Sequence, residues 1–502
     1  MKSLKFLFGL ILLVITASCS NVNKNLEKMI PSDASAVYCI KLPDVLEKAN
    51  IKKDGEIIIP QQLKDVIEKN EGSVFGEFFR NLGQSGLDVD HNMYFFFTKN
   101  TFRYVALIGL DDEDAVKKIL EHRTGVKFKE TQGVNFLRYQ SHSFVIDNDV
   151  LFMGRENRPA EDELLASSAK SMLNKNLKSI RDVDEIAQCI DSENDINAYF
   201  DVKGFNTVLK SISGFNDIIE KYPLLSIFTD SDIKAFTFHI NFEKEGANLQ
   251  AQFQADENSD FVTLLNTSLS TPSNEFLKAM PNSMKYIFSI SVKGDKISEL
   301  DQIRKSLNLL NNFPTLDALN IKSIVQTIDG PLAIGVSPSY MDGDNASSLT
   351  DDWNIAIVAK SKNPEYVVNT IKHFAAEMGQ PDYVKDGHHV YNYEGKPVYV
   401  GNIGDVVYAI RLDHELTEGS YYDYPDLRDR FSKSRFGFYA QADAGATQGF
   451  FNFGFTSYKE GKGLFYTANE TDNPALTFIG ILCTIAPKQA HDEADYMENY
   501  DL

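Results

Sequence analysis

One tryptophan, Trp353, stands against 22 tyrosines and 35 phenylalanines in this chain of 502 residues. So few indoles leave no set of exposed stacking platforms, and the aromatic mass reads as core. Basic residues are also scarce: 50 lysines and arginines against 71 acids give a formal net charge of −21. Phosphates would be repelled, which argues against nucleic acid or an anionic membrane surface as partner and leaves solubility as the plain meaning of the acidity. The four cysteines are Cys19, Cys39, Cys189 and Cys483. Setting Cys19 aside, three thiols cannot all pair within the chain and none sits at metal-ligand spacing, so buried free thiols are expected. Beyond the N-terminus no segment offers the about 20 uncharged residues that a spanning helix needs.

Catalytic signatures are missing too. No two of the nine histidines show the i, i+4 spacing around a glutamate of a helical zinc protease. His388 and His389 are adjacent, so on a strand their rings point to opposite faces and cannot share a metal. There is no nucleophile elbow, phosphate loop or dinucleotide fingerprint. Ser167 and Lys170 satisfy S-x-x-K without its companion motifs. "DDED" (111–114) opens a helix, where acids favour the macrodipole. The loop "MDGDNASSLTDD" (341–352) is a weak cation candidate through Asp342, Asp344 and Asp351, but it lacks the EF-hand glycine and glutamate. No cofactor is implied, no catalytic residue can be named, and the reading leans away from an enzyme.

What is present begins at the N-terminus. Lys2 and Lys5, an apolar stretch from Phe6 to Ile15 and the small residues Thr16-Ala17-Ser18 form a signal peptide, residues 1–18. Small residues directly before Cys19 resemble the lipobox of bacterial lipoproteins, in which that cysteine is acylated and becomes the mature N-terminus. Thr16 departs from the usual leucine; an ordinary cleaved signal with a chance cysteine is the alternative. The resemblance implies attachment to the membrane through lipid. Ser20, in place of a retention aspartate, implies the outer membrane, and the lack of an early acidic cluster favours its periplasmic face over the cell surface. Residues 19–28 read as a tether.

The body repeats itself. "IPSDASAVYCIKL" (30–42) aligns with "MPNSMKYIFSISV" (280–292), and "YVALIGLDDEDAVKKIL" (104–120) with "WNIAIVAKSKNPEYVVNTIKHF" (353–374), each a strand followed by a helix with Asp111 or Asn363 as N-cap. "GVNFLRY" (133–139) matches "GHHVYNY" (387–393), and "DVLFMG" (149–154) matches "DVVYAI" (405–410). Finally "FTFHINFEKEGANLQAQFQA" (236–255) matches "FNFGFTSYKEGKGLFYTANE" (451–470), two ribbons turning at Lys244-Glu245-Gly246 and Lys459-Glu460-Gly461. The expected fold is α+β: a tandem duplication of a mixed, mainly antiparallel sheet with helices packed on one face. The halves span 29–275 and 276–486, with helices near 61–70, 160–180, 203–221 and 296–310. Residues 487–502 form an acidic tail without periodicity.

The lipobox, the opening "IPSDASAVYCIKLPDVLEKA" (30–49) and the duplicated plan together resemble a family of uncharacterised Bacteroidetes lipoproteins, domain of unknown function 4836. Membership implies envelope location and this fold, and offers no catalytic residues. The leading reading is a lipid-anchored, non-enzymatic binding or scaffold protein with an envelope protein partner or a ligand between its halves. The alternative is an envelope hydrolase acting on glycan or peptide through a carboxylate pair. A structural spacer without ligand is a third possibility, which exposed apolar patches would discriminate.

Overall fold

Val37 and Cys39 are fully buried on one side of the first strand, while Tyr38 and Ile40 are half-buried on the other, the period-two alternation of a pleated strand. The computed structural model describes residues 26–485, except 54, 70–73, 175–177, 205–232, 245, 259, 300–319, 339–352, 394, 417–420, 422–424, 445–446, 458 and 468–472. Outside the described residues lie the signal peptide, Cys19, the tail 487–502, the loop with Asp342, Asp344 and Asp351, and nearly all of the helices expected at 203–221 and 296–310.

Strand β1 (Ala36–Ile40) lies between β2 (Met93–Phe97) and β8 (Ile196–Asp201). Beyond β2 follow β3 (Phe102–Gly109), β7 (Val150–Glu156), β6 (His142–Asp147), β5 (Val134–Tyr139) and β4 (Lys129–Thr131). Beyond β8 follow β9 (Ile233–Phe242) and β10 (Ala247–Ala255), and every pair is antiparallel. The second half contains β11 (Tyr286–Lys293), β12 (Ile328–Pro338), β13 (Trp353–Ser361), β14 (Tyr383–Lys385), β15 (His388–Tyr393), β16 (Lys396–Ile403), β17 (Val406–Arg411), β18 (Phe436–Ala444), β19 (Thr447–Ser457) and β20 (Glu460–Thr467). Each has the neighbours of the strand ten places before it. Details match as well. The Asp201 amide donates to the Ser35 carbonyl at 2.9 Å and that of Gln441 to Lys285 at 2.8 Å; Leu110 to Asp149 and Ser361 to Asp405 are both 2.8 Å. The β4–β5 and β14–β15 hairpins turn through Gln132-Gly133 and Asp386-Gly387, all with positive φ, as two-residue turns matched to strand twist require.

The halves meet where β10 pairs antiparallel with β20, from Ala247 opposite Phe465 to Ala251 opposite Gly461. That seam makes one sheet of 20 strands. The second ribbon turns earlier than expected: Ser457 lies opposite Glu460, so Glu460 and Gly461 are strand residues, and a register shift between Phe455 and Ser457 absorbs the difference.

Helices cover both sheet faces, correcting the one-face expectation. On the back of the first half, α5 (Asp162–Leu173) and α6 (Asp184–Ile190) enclose Val37, Cys39, Phe96 and Leu107. On its front, α1 (Leu42–Lys48), α2 (Gln61–Lys69), α3 (Val74–Arg80) and α4 (Glu113–Thr124) pack over Ile108, Ile196 and Ile240. In the second half, α11 (Pro425–Lys433) contributes Phe431 to the back core and α10 (Pro364–Glu377) lies on the front. The cap of α4 is Asp112, which accepts from the amides of Asp114 and Ala115 at 3.0 Å, rather than Asp111, whose amide is held by the Gly86 carbonyl. Asn363 caps α10 as expected, with Pro364 in the first turn.

Two helices are exchanged across the seam. The helix after β10, α7 (Asp260–Ser268), packs on α8 (Gly294–Ile297) of the second half, while the helix after β20, α12 (Pro474–Ile485), packs on α1 and α2 of the first. Asn473 caps α12 by accepting from the Leu476 amide and donates to the Lys48 carbonyl at 2.7 Å. At the N-terminal end, Leu26 and Glu27 are buried and Glu27 bonds Tyr94 and Arg181, so residues 26–28 of the expected tether belong to the packed body.

Gly461 and Gly463 on β20 leave room for Phe453 and Phe455 to lie across the seam: a Cβ at Gly461 would meet both rings at 2.7 Å, and one at Gly463 the Asn452 carbonyl at 2.6 Å. Gly461→Val is therefore expected to destabilise the protein by about 1–3 kcal/mol through overpacking, measured by urea unfolding.

Candidate functional site

Polar alternation on β9 and β10 builds a cleft beside the seam. Phe236, Phe238 and Phe253 point to the front, so Thr237, His239, Gln250, Gln252 and Gln254 line the back. There α6 forms one wall: Ile186, Cys189 and Ile190 anchor it, and Glu185 and Gln188 face the opening. The opposite wall is the β19–β20 hairpin with Lys459, Glu460 and Lys462. The cleft encloses about 660 Å³, within the size range of small-molecule sites.

Hydrogen bonding fixes the one imidazole among its described lining residues, His239. Asn197 is fully buried, and its amide nitrogen donates to the carbonyls of Ser192 at 3.2 Å and Asn194 at 3.1 Å. Its oxygen faces His239 Nδ1 at 2.7 Å, so Nδ1 must be the donor and Nε2 the acceptor. Burial holds the His239 pKa below the ordinary histidine value, which keeps the ring neutral. Lysines of the hairpin are paired, Lys462 with Glu460 and Lys459 with Glu257, both at 2.6 Å.

Cysteine, histidine and asparagine in one cleft are the residue types of a thiol hydrolase, yet the bonding does not assemble one. Cys189 Sγ donates to the Ala198 carbonyl at 3.4 Å, and burial pushes its pKa up to about 12. Cys39 is likewise buried, free and raised to about 12. Cys483 lies in α12, its side chain outside the described residues. The described carboxyls with raised pKa are Asp111, through burial and then Asp88, and Asp147, through burial. Neither lines the cleft. Lys170 is bonded to the Gln132 carbonyl at 2.8 Å, away from Ser167. His388 and His389 have separate partners, Tyr408 at 2.5 Å and Asp382 at 2.7 Å. Among the described residues no cluster of histidine, cysteine or carboxylates could hold a metal, and no helix is long and apolar enough to cross a membrane.

The opposite face carries a run of rings through the seam: Tyr38 to Phe200 at 5.3 Å, Phe236 to Phe253 at 4.9 Å, Phe253 to Phe455 at 4.7 Å and Phe436 to Phe288 at 4.8 Å. In the second half this face leaves Phe288, Ile334 and Ile357, neighbours on adjacent strands, exposed. Sequence reasoning missed His239, Asn197 and the glutamines; the signal available was "LQAQFQA" (249–255), where glutamine recurs every second residue.

Fold and site together define an α+β protein on a long antiparallel sheet with a polar central cleft. The chain belongs to the family described as Domain of unknown function (DUF4836), which matches residues 26–405. Among solved structures, crystal form III of TP0453 is 12% identical with a TM-score of 0.30, over 46% of this chain and 79% of that one. Crystal form I of TP0453 is 11% identical with a TM-score of 0.29, over 45% and 77%. No curated protein matches the chain.

Burial lowers the pKa of both His239 and His388. The unfolded chain then takes up protons first, so stability falls as pH drops below about 6.5. Thermal melts from about pH 7.5 to 5.5 should show a falling midpoint. His239→Gln should remove part of that fall and leave the part due to His388.

Proposed function

We propose that the chain is a lipid-anchored envelope lipoprotein of Bacteroidetes type, built by tandem duplication, that binds a ligand at the seam between its halves and catalyses no reaction. The observation that carries the binding role is the polar cleft formed beside the β10–β20 pairing, where elements of both halves converge. Matching neighbours for the ten strands that each half gives to the large sheet support duplication, with the halves at 29–275 and 276–486; the small ribbon of Lys52–Lys53 with Glu56–Ile57 belongs to the first half. The exposed row Phe288, Ile334 and Ile357 supports a partner surface over a passive spacer.

Anchoring rests on the sequence around Cys19, with residues 1–18 as signal peptide and the periplasmic face of the outer membrane as location. Leu26 is buried in the body, and the seven residues 19–25 span at most about 25 Å, so an acylated Cys19 would hold Leu26 within that reach of the lipid. The body then works close to the bilayer.

Mass spectrometry of the mature N-terminus should find an acylated Cys19, and Cys19→Ser should release the protein from membrane fractions. A Cys19→Ser protein that remains membrane-bound with unchanged processing would overturn the anchor. For the binding role, a photocrosslinker at Gln252 should capture a specific envelope component that one at Lys118, on α4, does not; capture at Lys118 instead would place the interaction elsewhere.

A further inference from the structure

We propose that the seam cleft is built for a neutral, polyhydroxylated ligand, an uncharged oligosaccharide, with His239 Nε2 as a fixed hydrogen-bond acceptor. This deepens the binding role above and rests on it.

The first step is the acceptor. Because both hydrogens of the Asn197 amide go to backbone carbonyls, only its oxygen remains for His239, and the ring has one tautomer available. Its Nε2 therefore offers a lone pair and no proton. Next to it, Gln250, Gln252 and Gln254 each bring a donor and an acceptor at a spacing of two residues along one strand. A hydroxyl both donates and accepts, so a row of vicinal hydroxyls is the complement of amides alternating with a bare nitrogen.

Charge narrows the class further. Among the described lining residues each lysine has a carboxylate partner, Lys459 with Glu257 and Lys462 with Glu460, and Glu185 on α6 adds a further acceptor, so a phosphate or carboxylate would compete with an acid already in place. Among the described lining residues no large apolar side chain is present. Cys189 and Ala251 are small, and the rings of β9 and β10 face the other side of the sheet, which leaves acyl chains and large apolar peptide side chains without a wall. What remains is a ligand recognised by hydrogen bonds alone.

The test uses the mature full-length protein and calorimetric titration with four probes: mixed neutral hexose oligomers, uronic-acid oligomers, inorganic phosphate and a pool of short peptides. Neutral oligomers should bind and the other three should not. Gln252→Ala, at an exposed position, should weaken binding about fivefold, the loss of one neutral hydrogen bond. His239→Ala should weaken it at least as much. Binding should hold from about pH 8 to 6.5 and decline as Nε2 takes a proton, with Glu185 from α6 and Lys459, Glu460 and Lys462 from the hairpin as the charged groups around the cleft. Neutral binding unaffected by both substitutions would overturn the assignment. Uronate, phosphate or peptide binding that Gln252→Ala weakens would overturn the neutral-sugar class and leave the seam as a binding site. Failure of all four probes, with crosslinking only at a distant surface, would overturn both.

Discussion

Five residues of β10 facing five of β20 hold this architecture together. An antiparallel strand with an open side presents unpaired amides and carbonyls, and a half ending at β10 or β20 would carry such an edge at its widest part. Pairing the two closes both at once. Among the described strands the edges left to the sheet are β4 and β14, each three residues long and each carrying a lysine, which makes them poor templates for further addition. The glycines at 461 and 463 belong to the same arrangement, since they let the phenylalanines of β19 reach over β20 toward Phe238 and Phe253.

The seam also explains where the polar cleft lies. Strands buried on both faces, such as β3, have no room for an amide; β9 and β10 are covered in front by rings but lie at the limit of helix α6 behind. Polar side chains survive there because water reaches them, and Asn197, fully enclosed, satisfies its own hydrogens on the chain reversal between α6 and β8. Position and chemistry of the cleft thus follow from how far each covering helix extends.

Much of this was legible beforehand. Alternate apolar positions in 30–42 and 280–292, the turn glycines Gly133 and Gly387 and the Asn363-Pro364 cap each correspond to local structure, because each depends on nearest neighbours in the chain. The covering of both faces was missed, although "YVALIGL" (104–110) is an unbroken apolar run, the pattern of a strand buried on two sides. Asp111 and Asp112 differ by one place and both amides go to the Gly86 carbonyl; only the Asp112 carboxylate, which takes the Asp114 and Ala115 amides, marks where the helix begins. The cleft was not legible at all. A glutamine at every second position reads as a solvated face until the strand that follows it, and the helix across from it, are known.

The reciprocal placement of α7 and α12 has a consequence for the order of events during synthesis. Lys48 and the core beneath α1 and α2 receive their last cover from residues 474–485, so the N-terminal lobe cannot be finished until nearly the whole polypeptide has emerged. A nascent chain must keep that greasy surface waiting for several hundred residues, and any machinery that threads it across a bilayer has to tolerate an incomplete lobe for the same interval.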